Sequence, residues 1–126
     1  MEVVVLSPAG RQIERLVFDS NDTLCAPHPI DLEIAQALRR YVRTSAISAQ
    51  RAAEALRDLA DFPLIRYPHA FLLDRIWELR DSLTAYDSAY LALAELLDAP
   101  LVTRDRALSK APSRARQGGV RSMERI

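Results

Sequence analysis

Glycine is scarce, with three residues in 126, and that is too few for the glycine-rich loops that wrap nucleotide phosphates. There is one cysteine, so no internal disulfide can form. The C-x2-H spacing of Cys25 and His28 has no second pair to complete a zinc site, which leaves a buried thiol and a turn histidine. The only other histidine, His69, has no acid or nucleophile fixed beside it in sequence, which argues against a histidine-driven hydrolase. Long apolar runs are also missing. Val3-Val4-Val5-Leu6 is far below the roughly 20 residues a membrane span needs, and no basic start leads into a secretion-signal core. A reducing cytoplasm is the expected compartment. Lysine occurs once, at Lys110, so the cationic residues are almost all arginine, suited to planar bidentate contacts with phosphate. Genome composition accounts for the same bias.

What is present is an ordinary globular mixture, 49% apolar and 27% charged, in a length that fits one domain over residues 1–126. The formal net charge is zero but unevenly spread. Acids outnumber arginines up to residue 103, whereas residues 104–126 hold seven basic side chains against Asp105 and Glu124. Such a tail can hold a polyanion near a cation site, or it is a solvated, frayed terminus.

Helical and extended stretches alternate. Pro8–Phe18 reads as a helix with Ser7 as its cap, and Thr23–Pro27 as a short buried strand. Helices are expected over Ile30–Arg43, from the Ser48 cap to Ala60, over Ala70–Ser82, and from Thr84 to a stop at Pro100. Trp77, at helical spacing from Leu73, is expected in the core. Leu64–Tyr67, Leu101–Thr103 and Val120–Met123 read as strands, with a short helix near Arg106–Lys110. Strands separated by helices predict a short parallel sheet wrapped by helices, an α/β sandwich.

Three carboxylates stand out by position. Glu33 lies in a first helical turn after a strand, Asp87 in the first turn of the helix opened by Thr84, and Asp105 just beyond the strand Leu101–Thr103. In an open parallel sheet the carboxyl ends of strands and the starts of following helices gather on one edge, where ligands bind. Three acids there repel one another unless a cation neutralises them, and hard oxygen ligands favour Mg²⁺ or Mn²⁺. Taken singly, each acid has a plainer reading. Asp87 suits a capping box, Glu33 a favourable first-turn charge, and Asp105 a turn or helix cap.

Three blocks in this order and spacing resemble the VapC-type PIN domains, the ribonuclease toxins of VapBC toxin–antitoxin pairs. They are His28-Pro29-Ile30-Asp31-Leu32-Glu33 running into Ala37-Leu38-Arg39-Arg40, then Leu83-Thr84-Ala85-Tyr86-Asp87-Ser88-Ala89-Tyr90 with Leu93-Ala94, and Pro100-Leu101-Val102-Thr103-Arg104-Asp105 with Leu108. The resemblance runs over nearly the whole chain. It implies a PIN-like three-layer α/β sandwich and a ribonuclease in which acids hold Mg²⁺ (or Mn²⁺) at the scissile phosphate and a water attacks in line. Glu33, Asp87 and Asp105 match the family's second, third and fourth acids, and Thr103 a common supporting hydroxyl. The resemblance also implies a VapB-like antitoxin covering the acids, an RNA substrate, and a homodimer.

The departure is at the start. The family's first acid ends the first strand in a stretch like V-D-x-S-A, which is absent here. In one alignment Glu2–Leu6 is that strand, with valine in the aspartate's place. In the other, Met1–Ser7 matches the helix after the strand, and the aspartate lies upstream of Met1. Family spacing to Glu33 favours the second, implying a late start site or a shortened chain, with Val3-Val4-Val5 sliding in to fill the gap. Local propensity favours a strand. Loss of one ligand acid is expected to impair cleavage by at least about 10–100-fold. The alternatives are an inactive PIN domain that binds an antitoxin or a sister subunit, and a basic-tailed RNA-binding protein without chemistry.

Overall fold

Residues 3–7, 23–103 and 120–122 are described by the computed structural model of the chain. In chain order they form β1 (Val3–Leu6), β2 (Thr23–Pro27), α1 (Ile30–Arg43), α2 (Ala49–Asp61) and β3 (Ile65–Tyr67). A 3-10 turn at Ala70–Leu72 leads into α3 (Leu73–Glu78), followed by α4 (Ala85–Leu97), β4 (Leu101–Thr103) and β5 (Val120–Ser122). The expected helices at Pro8–Phe18 and Arg106–Lys110 lie outside the described residues.

All strand pairings are parallel, in the order β3-β2-β1-β4-β5. The valine-rich start therefore occupies the centre of the sheet. Val4 lies opposite Leu24 on one side, and Val5 opposite Leu101 on the other. This corrects the favoured alignment, in which Met1–Ser7 matched a helix. β-Branched side chains suit a pleated strand, and the central position satisfies backbone groups on both sides, so local propensity wins.

Successive residues of β1 and β2 are buried: Val4, Val5 and Leu6, then Leu24, Cys25 and Ala26. Neighbouring side chains in a strand point to opposite faces, so both faces of the sheet are covered, as in a three-layer sandwich. One cover is α4, which lies across β1, β2 and β4 with Ala89 through Ala94 buried without a break. Cys25 is a buried free thiol, as expected.

Helix boundaries follow local chemistry. Ser48 caps α2, its Oγ accepting from the Arg51 N–H at 3.0 Å. Thr84 caps α4, its Oγ1 accepting from the Asp87 N–H at 3.2 Å. α4 stops at Leu97, before Pro100, with Asp98 in the left-handed region at φ 48°. The expected helix over Ala70–Ser82 is shorter and begins as a 3-10 turn.

Trp77 overturns an expectation, because it is 68% exposed rather than in the core. Leu72, Ile76 and Leu79 take the inward face at helical spacing, which turns the Leu73–Trp77 stripe outward. The exposed indole lies under the Arg80 guanidinium, 4.8 Å from the ring centroid, and Arg80 Nη1 donates to the Trp77 carbonyl at 2.9 Å.

Candidate functional site

Parallel pairing brings the ends of β1, β2 and β3 to one edge, together with Thr103 at the end of β4. From β2 the chain passes through His28 and Pro29 directly into α1, which sets Glu33 in the first helical turn. There the Glu33 N–H donates to the Pro29 carbonyl at 3.0 Å. α4 reaches the same edge by a different route. Its C-terminal end feeds β4 through Asp98–Pro100, so the helix runs antiparallel to the strands and its first turn, with Asp87, returns to their carboxyl ends. Tyr90, three residues after Asp87, shares its helix face.

Glu33 and Asp87 are thereby brought within electrostatic reach of one another, with Tyr90 against Glu33. Burial raises the Glu33 pKa above its ordinary value, the Tyr90 hydroxyl draws it partly back, and the Asp87 charge raises it again. Glu33 Oε1 and Tyr90 Oη are buried, and neither has a hydrogen bond of regular geometry. A hard cation would offset the paired negative charge and take an open carboxylate oxygen such as Glu33 Oε1 as a ligand. By this test the residues present fit a divalent metal.

The other expected residues stand differently. Asp105 lies outside the described residues. Thr103 is the last residue of β4, paired in register with Ser122. Among the described residues no three His, Cys, Asp or Glu side chains gather as a ligand set. At the carboxyl end of β1, where the family's first acid belongs, stand buried Leu6 and Ser7, with the Ser7 N–H donating to the Val102 carbonyl at 3.1 Å. Among the described residues no acid occupies that end.

Two features were not read from the sequence. Asp31, two residues before Glu33, is held by Arg66 in a bidentate pair, Nε to Oδ2 at 2.7 Å and Nη2 to Oδ1 at 2.9 Å. That pair ties α1 to β3 and engages a carboxylate otherwise indistinguishable from its neighbour. The second is the edge-to-face approach of His28 and His69, 6.5 Å between ring centroids, just beyond β2 and β3. Only the register, Pro27 opposite Tyr67, brings them together.

The Glu33 shift carries a stability consequence. Its folded-state pKa lies above the unfolded one, so metal-free stability falls as pH rises from the ordinary glutamate value, 4.5, through the raised one. Glu33→Gln removes that penalty and is expected to raise the Tm in EDTA at pH 7 relative to the wild type. Thermal unfolding in EDTA checks this, and a lower Tm for the variant would contradict it.

Comparison with known proteins agrees with this fold. The PIN domain family model matches residues 5–113. "VapC ribonuclease Mb0985" of Mycobacterium bovis is 43% identical over 88 residues, covering 70% of this chain and 69% of the relative. "Ribonuclease VapC12" of Mycobacterium tuberculosis is 32% identical over 111 residues, covering 88% of this chain and 84% of the relative. Among solved structures, the crystal structure of PAE2754 from Pyrobaculum aerophilum superposes with a TM-score of 0.67 at 24% identity, over 96% of this chain and 83% of that one. That likeness concerns the fold alone.

Proposed function

The chain belongs to the PIN-domain family, in its VapC ribonuclease branch, and we propose that Glu33 and Asp87, joined by Asp105, hold the divalent cation with which it cleaves RNA. It is a VapC-type endoribonuclease, the toxin of a toxin–antitoxin pair. The observation that carries the assignment of the site is the half-buried Glu33 carboxylate facing Asp87 at the carboxyl edge of the parallel sheet. Mg²⁺ is the preferred ion and Mn²⁺ the substitute, because every proposed ligand is a carboxylate oxygen. Bound there, the cation supplies Lewis acidity to the scissile phosphate.

The chain's own residues do the rest. Glu33 and Asp87 gather negative charge that a cation must offset before an RNA phosphate can approach. Thr103, at the end of β4, orients a ligand carboxylate or a water. The seven basic side chains of residues 104–126 add positive charge that attracts a polyanion to the molecule. The acidic site also suits an arginine presented by a VapB-like antitoxin, through bidentate pairing with carboxylate. A homodimer is part of the same proposal. An inactive, binding-only PIN domain is not favoured, since the matched relatives bear the name of ribonucleases and this chain keeps the acid pair.

Metal removal tests the reading. RNA cleavage is expected to cease in EDTA and to return with excess Mg²⁺ or Mn²⁺. Cleavage that persists after exhaustive chelation would end the metal assignment.

A further inference from the structure

Two of the polar atoms left open in this core, Glu33 Oε1 and Tyr90 Oη, belong to residues that lie against one another. Among the described residues, the buried side-chain atoms lacking a regular hydrogen bond are Glu33 Oε1, Ser88 Oγ and Tyr90 Oη. Tyr90 is completely buried, packed in the stretch of α4 that crosses the sheet. Phenylalanine would fill that space with no hydroxyl to strand, and an unsatisfied buried hydroxyl is costly. The hydroxyl lies against Glu33, and the other nearby carboxylate on α1, Asp31, is already engaged by Arg66. One acceptor therefore remains open to it on α1, the Glu33 carboxylate.

We propose that Tyr90 is a positioning residue for the ribonuclease site, its hydroxyl donating to the Glu33 carboxylate and so fixing the orientation in which that carboxylate meets the cation. The inference rests on the reading of Glu33 and Asp87 as the cation's ligands. Two features favour it. Asp87 and Tyr90 share one face of α4, so the helix that delivers one proposed ligand also delivers the group that steadies the other. A ligand carboxylate is oriented by the donors around it, and a phenol inside a packed helix is a more rigid donor than any exposed side chain.

A double-mutant cycle on the full chain tests this, with Tyr90→Phe, Glu33→Gln and their combination compared with the wild type. Mn²⁺ binding is measured by calorimetry, RNA cleavage by kcat and KM at saturating Mn²⁺, and folding by Tm. Tyr90→Phe is expected to keep its fold, bind Mn²⁺ about 10-fold more weakly, and lose kcat rather than raise KM. On the Glu33→Gln background the same change is expected to have no further effect on either readout. Wild-type Mn²⁺ affinity and kcat in Tyr90→Phe would overturn the inference, as would an equal loss on both backgrounds. Both results leave the ligand role of Glu33 standing. Mn²⁺ binding and cleavage by Glu33→Gln equal to the wild type would instead remove the ligand assignment, and the positioning role with it.

Discussion

Asp87→Asn is expected to lower RNA cleavage in Mg²⁺ by at least about 100-fold, roughly 2.7 kcal/mol of barrier. The substitution is nearly isosteric and removes only the charge. The cap of α4 survives it, because the bond to Thr84 Oγ1 comes from the main-chain N–H of residue 87. A fall in activity with an unchanged Tm therefore reports on the site rather than on the fold. The capping reading of Asp87 makes the opposite forecast, with activity tracking stability. An Asp87→Asn protein that cleaves RNA at the wild-type rate would remove this residue from the site.

The largest effect on stability is expected at Arg75 and Glu95, which join α3 to α4 through a bidentate pair, Nε to Oε1 at 2.7 Å and Nη2 to Oε2 at 3.0 Å. The side chains are 19% and 8% exposed, so neither charge is well hydrated if its partner is removed. Arg75→Ala strands Glu95 and is expected to cost about 3 kcal/mol, or roughly 10 °C in Tm. The estimate takes the low end for broken buried pairs, because Arg75 also reaches Glu78 and keeps a fifth of its side chain in water. Replacing both partners, as Arg75→Met with Glu95→Leu, is expected to recover most of the loss, since no charge is left stranded. Denaturant melts of the three variants decide the matter. A double variant no more stable than Arg75→Ala would mean that packing, not charge, holds α3 in place.

Much of the fold was legible because its signals are local. Ile30–Arg43 declares itself by apolar spacing, and the starts of α2 and α4 by Ser48 and Thr84. The pairing of Glu33 with Asp87 was legible for a different reason. Parallel topology, once inferred, sends both first turns to the same edge. What escaped was decided by contacts between distant residues. Leu72, Leu73, Ile76 and Trp77 are all apolar, and only the placement of α4 determines which stripe turns inward. Asp31 and Glu33 are alike in sequence, and Arg66 separates their roles from a strand thirty-five residues away. Val3–Leu6 forms a strand, not the helix that family spacing suggested, because valines suit a pleated strand and a central parallel position satisfies backbone groups on both flanks.

The central position of β1 also bears on how the molecule comes into being. Val5 is translated well before Leu101, yet they are neighbours in the finished sheet. An emerging nascent chain can assemble the half made of β1, β2 and β3, but β4 must leave the ribosome before the second flank of β1 is closed. Asp87 travels on α4, which packs against β4 as well as β1 and β2, so its place beside Glu33 becomes secure only at that late stage. If Asp87 holds the cation as proposed, a nuclease assembled in this order stays unarmed until β4 has been made and docked beside β1.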